Sequence, residues 1–133
     1  MKNYTHIKIY QTAKTLLKET TELTKNFNRE YRFTIGQDLY KSIVEFIVMI
    51  YDAYSISDFK IQYKYIIKLR RQLQYINVYI RLSSDLHLIS KEKYTYLTKY
   101  TNDIENQSRG WLLSIQMKLN ASKDNIENKN AKV

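Results

Sequence analysis

Apolar residues recur every three or four positions along most of this chain, which is the spacing of one face of an α-helix. The longest such segment contains no Gly and no Pro, and its apolar positions are Ile66, Leu69, Leu73, Ile76 and Ile80. We predict four helices, over residues 5–26, 35–54, 58–88 and 91–119. Because the connections between them are short and polar, the pattern predicts an all-α, up-down antiparallel four-helix bundle.

The second predicted helix has a start signal and a wide apolar face. Thr34 and Gln37 stand three residues apart, as in a capping box, and Phe33 precedes them. The helix is apolar over more than half of its circumference, which is typical of a helix buried against more than one neighbour. Beyond residue 119 the apolar pattern ends, so we predict a bundle domain over 1–119 and a disordered polar tail over 120–133.

The composition supports helices and excludes several kinds of chemistry. The 133 residues include no Pro and two Gly, whereas a β protein of this size needs turn residues about every ten positions. The absence of Cys excludes disulfides, thiolate catalysis and Cys-ligated zinc. His6 and His87 are the two histidines, and neither follows a Glu by three residues, as the ligands of di-iron bundles do. We therefore expect no metal and no cofactor.

The chain also lacks the sequence signals of export and of membrane insertion. The N-terminal residues lead into an amphipathic segment, not into the apolar stretch of a signal peptide. The longest apolar run, residues 43–51, is interrupted by Glu45 and is too short to span a bilayer. These features predict a soluble, cytoplasmic protein with no membrane partner.

The charge is strongly basic, and much of it lies in the third predicted helix. Lys and Arg number 22 against 13 Asp and Glu, a formal net charge of +9, which suits a nucleic-acid or acidic protein partner. Between Phe59 and Ser84 there is no acid, and the basic residues are Lys60, Lys64, Lys68, Arg70, Arg71 and Arg81.

Two interpretations of these cations are open: an ordinary solvated face, or a docking face for a polyanion. Lys60, Lys64 and Lys68 repel one another at four-residue spacing, and an anionic partner would relieve that repulsion. We favour the docking face. Arg70 is the least certain member, because it could pair with an acid of another helix, such as Asp38, Asp52 or Glu45.

Tyrosines alternate with these basic residues. The four in the third helix are Tyr63, Tyr65, Tyr75 and Tyr79. Aromatic rings beside cations can stack on unpaired bases. Helical spacing alone also places several of them at the edge of the core, which is the interpretation we favour.

Arg81 and His87 form a second candidate constellation, similar to the Arg-x(4–6)-His signature of the helical HEPN ribonucleases. A cation can stabilise the charge that develops on a phosphate, and an imidazole can move a proton. Six residues correspond to 600° of helix, so the two side chains diverge unless the helix ends between them. A non-catalytic protein is the favoured interpretation.

Three short motifs resemble the Avd family, the accessory variability determinants of diversity-generating retroelements. They are Arg32-Phe33-Thr34-Ile35-Gly36, Arg81-Leu82-Ser83-Ser84-Asp85-Leu86 and Gly110-Trp111. The resemblance covers about residues 5–117. It implies a basic four-helix bundle that forms a ring-like homo-oligomer, a pentamer where the architecture is known. It also implies a bacterial or mobile-element protein that binds a reverse transcriptase and RNA or DNA without catalysing a reaction.

The resemblance also implies roles for individual residues. Arg32 and Arg81 would contact the polymerase and nucleic acid. Arg109, which stands where relatives have the first Gly of a Gly-Gly-Trp motif, adds a further cation. The residues themselves, through the apolar arc of the second helix and through residue size, place Phe46, Ile50, Gly36 and Trp111 in the core or at the oligomer interface. Gly110, from the Gly-Trp motif, is expected there as well. The alternatives are a protein-binding scaffold, like the related proteins of 23S rRNA intervening sequences, and a ribonuclease.

Overall fold

The computed structural model describes residues 3–131, which form an all-α four-helix bundle and confirm the predicted fold class. Its helices are α1 (Lys8–Thr24), α2 (Arg29–Tyr31), a π-helical turn (Arg32–Gly36), α3 (Gln37–Ser55), α4 (Phe59–Asp85) and α5 (Lys91–Ala131). The long helices α1, α3, α4 and α5 make the bundle. Within residues 3–131, no helix is both long enough and apolar enough to cross a bilayer.

Each long helix packs against two others around one core. α1 and α4 each contact α3 and α5. The side chains at the centre have no exposed surface, and the largest of them include Leu16, Ile43, Phe46, Ile50, Ile66, Leu69, Leu73, Ile76 and Ile104. These are the apolar positions that the three-to-four spacing marks in the sequence, because that spacing puts them on one side of each helix.

Hydrogen bonds between α3 and α4 show that these two helices run antiparallel. The Gln62 Nε2 atom on α4 donates to the Ala53 carbonyl of α3, and ten residues later Gln72 Nε2 donates to the Ser42 carbonyl, both at 3.0 Å. The residue number therefore falls along α3 as it rises along α4, which is the up-down arrangement that the short connections predicted.

The start of the second long helix differs from the capping-box prediction. The helical segment begins at Arg29, where the Asn28 Oδ1 atom accepts a hydrogen bond from the Tyr31 backbone N–H at 3.1 Å. Thr34 lies inside the π-helical turn and donates its hydroxyl to the Glu30 carbonyl at 2.9 Å. Thr34 is thus already inside a helical turn, and no side chain caps the first N–H groups of α3, so the prediction of a capping box at Thr34 was wrong. The α-helix α3 itself begins at Gln37, two residues after the predicted start.

The last helix is longer than the sequence pattern predicted. α5 continues past residue 119 to Ala131, through a stretch without Gly or Pro, so residues 120–131 are helical where we predicted a disordered tail. Every side chain of this stretch is exposed, in keeping with its polar composition. Residues 1–2 of the predicted bundle domain and residues 132–133 of the predicted tail lie outside the described part of the chain.

Candidate nucleic-acid interface

One continuous stripe of exposed side chains runs along the outer face of α4, opposite the face that enters the core. We call this the α4 stripe, and its members, spaced three or four residues apart, are Lys60, Lys64, Lys68, Arg71, Tyr75, Val78, Leu82 and Leu86. All eight are exposed. The first four form its basic half and the last four, ending at the C-cap of α4, form its apolar half.

The basic half is a row of cations with no neutralising partner on the surface. From Lys60 to Arg71 the row is about 16 Å long, at 1.5 Å of rise per residue. Over residues 3–131, no carboxylate oxygen lies within 4.0 Å of the Nζ atoms of Lys60, Lys64 or Lys68, or of the Arg71 guanidinium. The repulsion inferred from their spacing is therefore uncompensated within the described chain.

Arg71 and Tyr75 join the two halves. The Arg71 Nε–H donates to the Tyr75 hydroxyl at 3.2 Å. This hydrogen bond raises the pKa of Arg71 above its ordinary value. The same bond holds the Tyr75 ring, which is 48% exposed, at the end of the row of cations.

The apolar half borders an open groove between α3 and α4, with a volume of about 540 Å³. Tyr75, Val78 and Leu82 form its apolar side. Its polar groups are supplied by Glu45, which is exposed, and by Gln72, whose Nε2 lies 3.5 Å from Glu45 Oε2. The groove thus combines an apolar wall with an exposed hydrogen-bond acceptor.

Arg70 does not belong to the stripe, although the sequence made it a candidate. Its guanidinium pairs with the Glu105 carboxylate of α5, and its Nε–H donates to the Ser108 hydroxyl at 3.2 Å. The partner is none of the three acids considered from the sequence. The predicted binding role of Arg70 is therefore corrected: it is a packing residue between α4 and α5. Consecutive residues of a helix point about 100° apart, so the Arg70 side chain points toward α5 while that of Arg71 points outward.

The other predicted cations lie at separate places. Arg32 is exposed in the π-helical turn, with its guanidinium 5.5 Å from the Phe33 ring centroid. Arg109 is on α5, and its guanidinium reaches the same Glu105 oxygen as Arg70 at 3.5 Å. The structure joins neither of them to the α4 stripe.

Arg81 lines a cavity of about 820 Å³ at the corner between α4 and α5. Its Nε–H donates to Asp85 Oδ1 at 3.1 Å, and its guanidinium lies 5.9 Å from the Tyr94 ring centroid. Hydrogen bonding to Tyr94, with a further contribution from Asp85, raises the pKa of Arg81. His87 lines the same cavity, because α4 ends at Asp85 and His87 adopts a left-handed conformation with φ 58°. The helix therefore ends between Arg81 and His87, as the ribonuclease interpretation requires.

The five residues expected in the core or at an interface divide into three groups. Phe46 and Ile50 are fully buried in the core. Gly36 is also buried, and a Cβ placed on it would lie 3.3 Å from the Thr24 Cβ, so this glycine permits close approach to the end of α1. Trp111 is partly buried against the core. Gly110 is exposed, and within residues 3–131 a Cβ built there would meet no atom within 4 Å beyond its own stretch of helix.

The four tyrosines of α4 divide into two partly buried and two exposed side chains. Tyr63 and Tyr79 are partly buried against the core, as we favoured from their spacing, whereas Tyr65 and Tyr75 are exposed. Sequence reasoning missed the apolar half of the stripe. Its signal was present, because the three-to-four spacing of the cations continues without interruption from Arg71 to Leu86.

No protein-family model matches this chain, and no match is found among curated proteins.

Proposed function

We propose that this protein is a non-catalytic accessory factor that binds nucleic acid through the basic half of the α4 stripe. The observation that carries the proposal is the unneutralised row formed by Lys60, Lys64, Lys68 and Arg71. Phosphates placed on such a row release condensed counterions, and this release favours binding with little dependence on sequence.

The wider setting of the proposal comes from the resemblance to the Avd family. We propose that the bundle assembles as a homo-oligomer, a pentamer, and that it works with a reverse transcriptase and the RNA or cDNA of a diversity-generating retroelement. A ring multiplies one weak phosphate-binding row by its number of subunits, which raises avidity without any new contact. Arg32, Arg81 and Arg109 would extend the contact surface for the polymerase.

The proposal is tested by titrating RNA against the protein at several salt concentrations while light scattering reports its mass. The test variant replaces the four cations of the row with Gln. The matched control removes the same charge from other exposed positions, through the substitutions Lys8→Gln, Lys14→Gln, Lys18→Gln and Lys99→Gln.

We expect the test variant to keep its fold and mass but to lose most of its RNA affinity. The slope of log K against log salt should fall by about 3, since each single-strand phosphate contact contributes about 0.7. The control should lose much less affinity. If both variants lose affinity equally, only net charge matters and the row is not the site. If the wild-type protein does not bind RNA but binds an acidic protein, the molecule is a protein-binding scaffold.

A second candidate function is cleavage of RNA at the α4–α5 corner, favoured by the shared cavity of Arg81 and His87. Its test is incubation of RNA with wild type and with His87→Asn, because Asn tolerates the left-handed backbone that Ala would strain. Cleavage by wild type and a loss of roughly 10²-fold or more in the variant would establish it. Intact RNA after incubation with wild type would exclude it.

A further inference from the structure

The α4 stripe changes its chemistry halfway along, and this change bears on the form of nucleic acid that it fits. A row of cations by itself can hold the phosphates of a duplex or of a single strand. The apolar half that continues the row is of no use to a duplex, whose bases are stacked inside it. Unpaired bases expose flat apolar faces, and these stack on aromatic side chains.

We propose that the stripe binds single-stranded nucleic acid, with phosphates on the basic half and unpaired bases on Tyr75 and the groove beyond it. This inference rests on the proposed function and adds the class of ligand. The strand would follow the axis of α4, because the stripe does. Its phosphates would meet Lys60, Lys64, Lys68 and Arg71 in turn, and its bases would reach Tyr75 where the cations end.

The groove between α3 and α4 favours bases over phosphates. The Glu45 carboxylate at its edge repels a phosphate but accepts a hydrogen bond from the exocyclic amino group of a base, as carboxylates do with cytosine. Val78 and Leu82 offer apolar contact on the other side. The Arg71–Tyr75 hydrogen bond fixes the ring beside a cation, an arrangement in which a base can lie on the ring while its phosphate meets the guanidinium.

The test compares three fluorescent DNA probes in anisotropy titrations of the full chain: a short unstructured single strand, the same strand with abasic sites, and its blunt duplex. Tyr75→Ala removes the ring. Tyr75→Phe is the matched control, since it keeps the ring and loses the bond to Arg71. Circular dichroism and light scattering check that fold and mass are unchanged, which we expect because Tyr75 is about half exposed.

We expect wild type to bind the single strand more tightly than either other probe. Tyr75→Ala should weaken single-strand binding roughly tenfold and leave the slope of log K against log salt unchanged. The affinities for the three probes should then become similar. Tyr75→Phe should retain most of the preference. These results together would support the inference.

Failure of the inference is distinguishable from failure of the proposed function. If the four-Gln variant loses binding while wild type binds the duplex or the abasic strand as tightly as the single strand, the proposed function stands and the inference falls. The inference also falls if Tyr75→Ala changes the oligomer mass and not the preference, because the apolar half is then a protein contact. If wild type binds none of the probes, both fall.

Discussion

Arg70 and Arg71 are consecutive residues with opposite environments. Arg70 is about one-quarter exposed and shares the Glu105 carboxylate with Arg109, whereas Arg71 is exposed and contacts only the Tyr75 hydroxyl among the described polar partners. A charge held by a partly buried acid contributes to packing between helices. A charge on the open surface is available to a ligand.

This contrast predicts that the two substitutions separate stability from binding. Arg70→Gln leaves Glu105 with only its longer contact to Arg109, so we expect a loss of about 1–2 kcal/mol in the free energy of unfolding and little change in RNA affinity. Arg71→Gln should leave the free energy of unfolding unchanged and weaken RNA binding severalfold. Urea denaturation and anisotropy titrations measure both quantities. Equal behaviour of the two variants would contradict the assignment.

At the scale of the element, the two glycines occupy helical positions with opposite packing. Gly36 lies in the π-helical turn with φ −60°, so its backbone needs no left-handed freedom. Its missing side chain makes room for the Thr24 side chain at the end of α1. Gly110 lies within α5 and faces open space. π-helical turns recur at functional sites, but here the turn serves the contact with α1.

Substitution of the two glycines should therefore shift stability in opposite directions. Gly110→Ala restores helix propensity at no steric cost, and we expect a gain of about 0.5–1 kcal/mol. Gly36→Val places branched methyl groups against Thr24, and we expect a loss of about 1–3 kcal/mol. Chemical denaturation measures both effects. If Gly110→Ala instead lowers the oligomer mass in light scattering, this exposed site belongs to a subunit contact.

At the scale of the whole molecule, the end of α5 extends beyond the packed core of the bundle. The core is shared by α1, α3, α4 and α5, and Ile115 is the last fully packed position of α5. Leu119 still contacts the core from its edge. The helix then continues for about 18 Å to Ala131 with exposed side chains only.

Removal of residues 120–133 should accordingly leave the thermal midpoint of the bundle unchanged within about 2 °C, because no buried apolar surface of the described chain is lost. The far-ultraviolet circular dichroism signal should decrease by the contribution of the deleted turns. Melting curves at two protein concentrations give the measurement. A clear drop in the midpoint that depends on concentration would show that the end of α5 packs against another copy.

The sequence by itself determined the fold class and the buried face of each long helix. Apolar residues at three-to-four spacing, without Pro and with two Gly, leave helices as the way to bury one face, and short connections force antiparallel neighbours. The row Lys60, Lys64 and Lys68 could also be predicted, because charges four apart share one side of a helix whatever surrounds it.

Only the tertiary structure decided which candidates lie together. The partner of Arg70 is Glu105, a residue distant in sequence that antiparallel packing brings to α4, so local spacing could not identify it. Arg81 and His87 share a cavity because α4 ends at Asp85 and the chain takes a left-handed turn. Periodicity specifies the direction of a side chain on its own helix, whereas its partners depend on how the helices pack and where each of them ends.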